Sequence, residues 1–451
     1  MKTKNRDKRR WPVQAVRLFA GVLTLALASA SFGQEAKPSD KYVTREEYDK
    51  VVKELDVIKK KLGLMDEQKT TQDKETEQTF EEYDKQLKSI KSLATTAQPG
   101  NTKPLITGYA FAGYSDRKGE NSSFNAGFNP ILLWKLNDRL FFEGELELEL
   151  GRNADGEGVT GVELEYANLS YIANDYVTVK AGRFLSPFGT FAERLHPAWV
   201  NKLPDAPLGF GHGGIAPTSE LGLQASGGFP AGPTKFNYAV YVANGPRLNT
   251  GASEPGEAGL LHFDNNVDIN NNKAVGTRIG FLPIPELELG YSFQYARVGE
   301  GGGVNAYLHA VDLSYVRDSR LLKGVIDMRA QWVWSKVDNF TFDPDGSLGF
   351  GPLNFNNRRD GGYVQLAYRP SKLNNKFLQN LEGVCRWDTI NNPDGAPAES
   401  AFDEQRWTLG LNYWLGSSTV IKAAYQFGDR RTPGAGRENV NAILFQAAMG
   451  F

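Results

Sequence analysis

This chain is short of the residue types that most often carry chemistry. One cysteine, Cys385, stands among 451 residues, so no internal disulfide and no cysteine-built metal site can form. Four histidines, His196, His212, His262 and His309, show neither metal-ligand nor triad spacing. A hydrolase would have to use a pair such as Ser219 with His212, which is the weaker reading. No catalytic residue, metal or cofactor is expected. No run beyond the first thirty residues approaches the ~20 apolar residues of a membrane helix, and mean hydropathy is −0.43. The formal charge is only −2, which gives no reason to expect a nucleic-acid partner. Helical membrane proteins are thereby excluded. A barrel is not, because its strands are only half apolar. The length would also suit two or more soluble domains.

Alternation, by contrast, is abundant. The chain ends Asn441-Ala-Ile-Leu-Phe-Gln-Ala-Ala-Met-Gly-Phe451. Ile443, Phe445, Ala447, Met449 and Phe451 form one row; Leu444, Gln446, Ala448 and Gly450 form the other. A period of two marks a strand with unlike faces, and a terminal aromatic on the apolar face suits the closing strand of a membrane barrel. In Phe141 to Leu150, Phe142, Gly144, Leu146, Leu148 and Leu150 alternate with Phe141, Glu143, Glu145, Glu147 and Glu149. In Glu286 to Tyr295, Leu287, Leu289, Tyr291, Phe293 and Tyr295 oppose Glu286, Glu288, Gly290, Ser292 and Gln294. Gly324 to Val337 sets Ile326, Met328, Ala330, Trp332 and Trp334 against Asp327, Arg329, Gln331 and Ser335. A row of carboxylates needs water and a row of leucines needs lipid or a core, so the pattern reads apolar outside and polar inside.

Runs of this kind predict an all-β transmembrane antiparallel barrel of about 16 strands over residues 104–451. The connections alternate: Asn137-Asp138, Asn174-Asp175 and Gly416-Ser417 are short, whereas 186–218, 244–272 and 338–360 are long. Short turns on one rim and long loops on the other fit a barrel.

Two segments precede the barrel. Lys2, Lys4, Arg6, Lys8, Arg9 and Arg10 lead an apolar stretch, Leu18 to Ala28, and then Ala28-Ser29-Ala30. This reads as a secretory signal peptide over 1–30, with Gly33 as the alternative cleavage point. Over 41–97, Tyr48, Val51, Leu55, Ile58, Leu62 and Met65 follow 3-4 spacing, and Phe80, Tyr83, Leu87 and Ile90 repeat it out of step. That is a coiled-coil seam with a stutter, placed in a periplasmic arm. It pairs either within a homotrimer or as a hairpin on its own chain.

Function should reside in the connection 186–218. Five prolines stiffen it, and Phe188, Phe191, Trp199 and Phe210 give it something to bury. A long, stiff, partly apolar loop is expected to fold into the barrel and narrow it; an external cap or trimer latch is the alternative. The pore-lining candidates are Glu193, Arg194, His196, Lys202 and Asp205 in the loop and Lys180 and Arg183 before it. Glu143, Glu145, Glu147, Glu149, Glu286, Glu288 and Arg329 complete the set. Asp264-x-Asn266-x-Asp268-x-Asn270 lacks the glycine and closing glutamate of a calcium loop and reads as solvated.

Gly182-Arg183-Phe184, Pro187-Phe188-Gly189, Asn244-Gly245-Pro246, Arg278-Ile279-Gly280-Phe281 and the terminal Phe451, in that order, resemble the phosphate-selective porin (O/P-type) family of Gram-negative outer membranes. The resemblance implies a trimeric sixteen-stranded channel whose third external loop enters the pore, with phosphate selectivity from basic lining residues. Here the clearest lumen rows are acidic, and past residue 100 carboxylates outnumber basic residues. Such a field favours cations or neutral solutes. The sequence therefore predicts an outer-membrane porin, not an enzyme: a passive channel for small hydrophilic solutes or ions, with phosphate-type anions as the family's implication. Its partners are outer-membrane lipid, its own copies and the solutes. The alternative is a structural anchor whose coiled coil tethers the membrane to the cell wall through peptidoglycan.

Overall fold

The structure is a computed structural model describing residues 104–152, 158–211, 214–252, 254–263, 266–268, 270–349, 351–397, 401–434 and 436–451. The export segment 1–30 and the arm 41–97 lie outside the described residues.

Sixteen long strands form one antiparallel sheet that closes on itself. They are β1 (Leu105–Arg117), β2 (Ser123–Lys135), β3 (Leu140–Arg152), β4 (Gly158–Asn174), β5 (Val177–Leu185), β6 (Ser219–Ala231), β7 (Thr234–Ala243) and β8 (Ala274–Ile284). The wall continues with β9 (Leu287–Arg297), β10 (Asn305–Ser319), β11 (Gly324–Val337), β12 (Arg358–Arg369), β13 (Leu381–Asn391), β14 (Asp403–Trp414), β15 (Thr419–Thr432) and β16 (Ala442–Gly450). Each pairs with its neighbour in sequence, and β1 pairs with β16 from Tyr109↔Gly450 to Arg117↔Ala442. Closure leaves no long edge with unpaired backbone groups.

The last residue seals the seam. Phe451 N–H donates to Gly108 O at 2.9 Å, Gly108 N–H returns a bond to Phe451 O at 3.2 Å, and the Phe451 ring stacks on Phe128 at 5.6 Å.

Alternation fixes the two faces. Trp407, Leu409 and Leu411 on β14, and Ile443, Phe445 and Met449 on β16, are exposed, while the intervening Arg406, Thr408, Asn412, Leu444, Gln446 and Ala448 are buried. Exposed apolar side chains on most strands, from Ile106 on β1 to Met449 on β16, form a surface that only lipid could cover well. Aromatic pairs mark both ends of it. Phe229–Phe236 and Phe236–Phe281, at 5.5 and 5.0 Å, lie toward the turns. Tyr114–Phe124 and Tyr295–Tyr307, at 5.0 and 5.4 Å, lie toward the loops.

The structure departs from the sequence reading in three places. β4 carries a bulge at Glu165, opposite the step from Glu145 to Leu146, so Glu163 and Tyr166 share a face although their parity differs. The segment before β13, within a stretch read as all-β, is a helical turn over Lys376–Asn380, capped when the Asn375 side chain accepts from Leu378 N–H. The inner face is also not uniformly polar. Toward the loop rim Ala306, Leu308 and Ala310 of β10 and Val333 and Val337 of β11 join a buried apolar cluster with Phe188, Phe210, Ile215, Leu248, Leu261, Phe342 and Phe355. The last seven come from the connections 186–218, 244–273 and 338–357, which fold over this part of the wall and remove its need for polar side chains.

Candidate functional site: a charged lumen crossed by one segment

The segment 186–218 starts and finishes at one point, where Ser186 N–H donates to Thr218 O at 2.8 Å. Two glycines shape its departure. Gly182 has φ +124°, and a Cβ there would sit 2.4 Å from Ala167 O; Gly189 has φ +76°, and a Cβ there would strike the Gln331 amide. Both positions demand a residue without a side chain. Gly189 N–H then donates to Ser292 Oγ on β9 at 3.0 Å, and Thr190 and Phe191 N–H donate to Gln331 Oε1 on β11 at 3.0 and 3.1 Å.

From there the segment crosses to the far wall. Arg194 Nη1 donates to Glu288 Oε2 on β9 at 2.8 Å. His196 lies edge-on to Tyr109 of β1, and Lys422 of β15 donates to Ala198 O. Lys202 Nζ meets Glu382 Oε1 on β13 at 2.7 Å, and Asn412 Nδ2 of β14 donates to Lys202 O at 2.8 Å. Phe210 packs on Tyr363 of β12 at 5.3 Å. Leu203 is buried among Ala367, Val384, Ala424, Ala442 and Leu444. That packing explains why Leu444 interrupts an otherwise small or polar row. A single segment reaches the polar faces of so many strands only from within the closed wall.

Asp205 is the tightest of these anchors. Its Oδ1 accepts from Arg386 Nη2 at 2.8 Å and its Oδ2 from Gln426 Nε2 at 2.7 Å. Arg406 Nη2 lies 3.1 Å and Arg117 Nη2 3.7 Å from Oδ2. Asp388 serves the same two β-wall arginines, 3.0 Å from Nε of each. Burial pushes the Asp205 carboxyl up, but Arg406 and Arg386 outweigh it and hold the group well below the usual carboxylate range.

The wall of β3 and β4 is different. Glu143, Glu147 and Glu149 of β3 share a face with Glu163 of β4. The Glu143 and Glu163 side chains are 32% and 40% exposed, and their cationic partners are Lys180 and Arg183, each at 3.2 Å. Arg183 is itself buried and also donates to Asn266 Oδ1 at 2.7 Å. Glu145 is buried beside Tyr109 and Tyr166.

The remaining sequence candidates fall elsewhere. Glu193 pairs with its neighbour Arg194 at 3.6 Å. Glu288 also meets Arg278 at 2.9 Å, and Arg278 bonds Asp312. Glu286 sits in the turn between β8 and β9 rather than on a strand. Arg329 pairs with Asp327 at 2.6 Å at the edge of a cavity of about 240 Å³ whose lining includes Phe191, Trp199, Lys202 and Trp414. His212, the partner Ser219 would need for hydrolysis, lies outside the described residues, as do Asp264 and Asn265 of the calcium-like stretch. Asp268 is engaged by Lys273.

Sequence reasoning has no rule that brings Arg386, Arg406 and Lys422 together, because their grouping runs across strands. It missed Arg117, Asp388, Glu382 and Gln426. Parity was readable for Asp388 beside Trp387, Gln426 between Tyr425 and Phe427, and Glu382 after Leu381, whereas Arg117, between Asp116 and Lys118, gave no such signal.

No protein-family model matches the sequence, and no curated relative matches it either. Among solved structures, the chain is similar to the outer membrane channel DcaP of Acinetobacter baumannii, with a TM-score of 0.50 and 14% identity over 78% of this chain and 97% of that one. The barrel shares the fold of an outer-membrane channel. The anion-selective porin from Comamonas acidovorans aligns over 78% of this chain and 100% of its own at 11% identity and TM-score 0.48. OmpF of Salmonella typhi, solved with daunomycin, covers 78% and 98% at 14% identity and TM-score 0.48.

Proposed function

We propose that this protein is a passive channel of the Gram-negative outer membrane that passes small hydrophilic solutes and ions. The observation that carries the reading is the sorting of side chains around a closed wall: apolar and exposed outward, charged and hydrogen-bonded inward. A wall of this kind is stable only with lipid on one side and water on the other. The segment 186–218 narrows the lumen, and solutes pass between it and the β3–β5 side. Residues 1–30 serve as the export signal. The heptad spacing in residues 41–97 supports a homotrimer with a periplasmic arm.

The test is conductance. Protein folded in detergent and added to a planar lipid bilayer should give stable current steps, grouped in threes for a trimer. A barrel that shows the heat-modifiable gel migration of a folded barrel yet passes no current would refute the channel and leave the anchor reading, which the heptad spacing at Tyr48 to Met65 supports.

A further inference from the structure

The two charged walls of the lumen are not equally available to a passing solute. On β13 to β15 the cations are covered: Arg386 is 0% exposed and Arg406 6%. On β3 and β4 the carboxylates of Glu143 and Glu163 each meet one cation, Lys180 and Arg183, yet stay 32% and 40% exposed to the lumen. Without the segment, Arg117, Arg386 and Arg406 would converge on one point, with Asp388 the carboxylate in contact with two of them. Three guanidinium groups around one point make an oxyanion site. Asp205 fills that point from the segment, with Gln426 completing the donor set.

Resting on the channel reading above, we propose that Asp205 is a built-in counter-anion that occupies this arginine cage. It cancels the attraction of the β13–β14 wall for anions and leaves the β3–β4 carboxylates to give the channel a preference for small cations. The Arg117 side chain is 32% exposed, so the cage borders the open lumen and an anion could reach it once Asp205 is gone. The pairing is also more than a staple. Leu203, Lys202 and the Ala198 carbonyl also bind the segment to the same strands, so Asp205→Asn, which keeps the shape of the side chain and an acceptor oxygen, tests the charge apart from the fastening.

The experiment is the reversal potential across a potassium chloride gradient, measured on wild type, Asp205→Asn, Asp205→Glu and Arg117→Gln. Wild type should favour potassium. In Asp205→Asn the potassium-to-chloride permeability ratio should fall roughly fivefold, the factor set by one unit charge at contact distance in a water-filled lumen, and inorganic phosphate should then reduce the current. Asp205→Glu should keep the wild-type ratio, and Arg117→Gln should raise it. A wild-type preference for chloride would overturn the proposal. So would an unchanged ratio in Asp205→Asn that still migrates as a folded barrel, which would make Asp205 purely structural. If Asp205→Asn does not fold, the Arg117→Gln ratio decides: no rise overturns the proposal. Absence of current in every protein would instead remove the channel reading, a result distinct from current with the wrong sign.

Discussion

The β13–β15 side of the lumen hides its charges, whereas the β3–β4 side shows them. Arg386, Asp388, Arg406 and Lys422 are buried because a segment of the chain lies on them and supplies Asp205, backbone carbonyls and Leu203 as partners. Glu143 and Glu163 carry comparable charge and keep much of their surface in solvent. A charge out of water is costly unless paired and hydrogen-bonded, so the covered side is a network in which every member matters. A charge left in water costs little and contributes little to stability, so the open side is free to act on solutes. One side should govern whether the lumen keeps its shape, and the other what the lumen attracts.

That contrast breaks most readily at Asp205. Asp205→Ala leaves Arg386 and Arg406 sharing only Asp388, and removing one partner of a buried network costs about 3–5 kcal/mol. Protease should then cut within 186–218 while the barrel stays intact in detergent; a segment that stayed protected would show that the covered side is no clamp. Next in size, Leu409→Arg places a cation on the exposed apolar face of β14 and should cost about 2–4 kcal/mol in a lipid-folded barrel. Reversible urea unfolding from vesicles would measure it. A neutral effect there would mean that this face does not meet lipid. On the open side Glu143→Gln removes one member of a partly exposed pair with Lys180 and should cost less than about 1 kcal/mol by the same measurement; a larger loss would erase the difference between the two sides.

Acidity should have the smallest effect. Asp205 titrates below its unfolded value, so its stabilising contribution is fully present above the ordinary aspartate range and is lost only as pH falls through the lowered folded value. Segment protection should stay flat from neutral pH down to about pH 4, the ordinary aspartate value. Protease sensitivity that rose before that point would place the carboxyl in a different environment.

Much of the wall was legible because a strand's two faces are written at neighbouring positions. All sixteen long strands found in the structure lie on runs read from alternation, with ends displaced by a few residues. Glu286, Glu288 and their row were legible in the same way, except that Glu286 falls in the turn. The bulge at Glu165 was not legible, since one inserted residue leaves the local rhythm looking like two ordinary stretches. Val333 and Val337 also resisted reading, because their apolar character answers to loops far away in the chain.

Local alternation by itself determined that this chain makes a closed wall with an oily and a wet face, since a period of two survives whatever the strand packs against. Only the tertiary structure decided which charges meet. Asp205 lies far in sequence from Arg117, Arg386 and Arg406, and no spacing rule links residues that come together only after the wall has closed and a segment has crossed its interior. Bonds between neighbouring residues set the first result; the geometry of closure set the second.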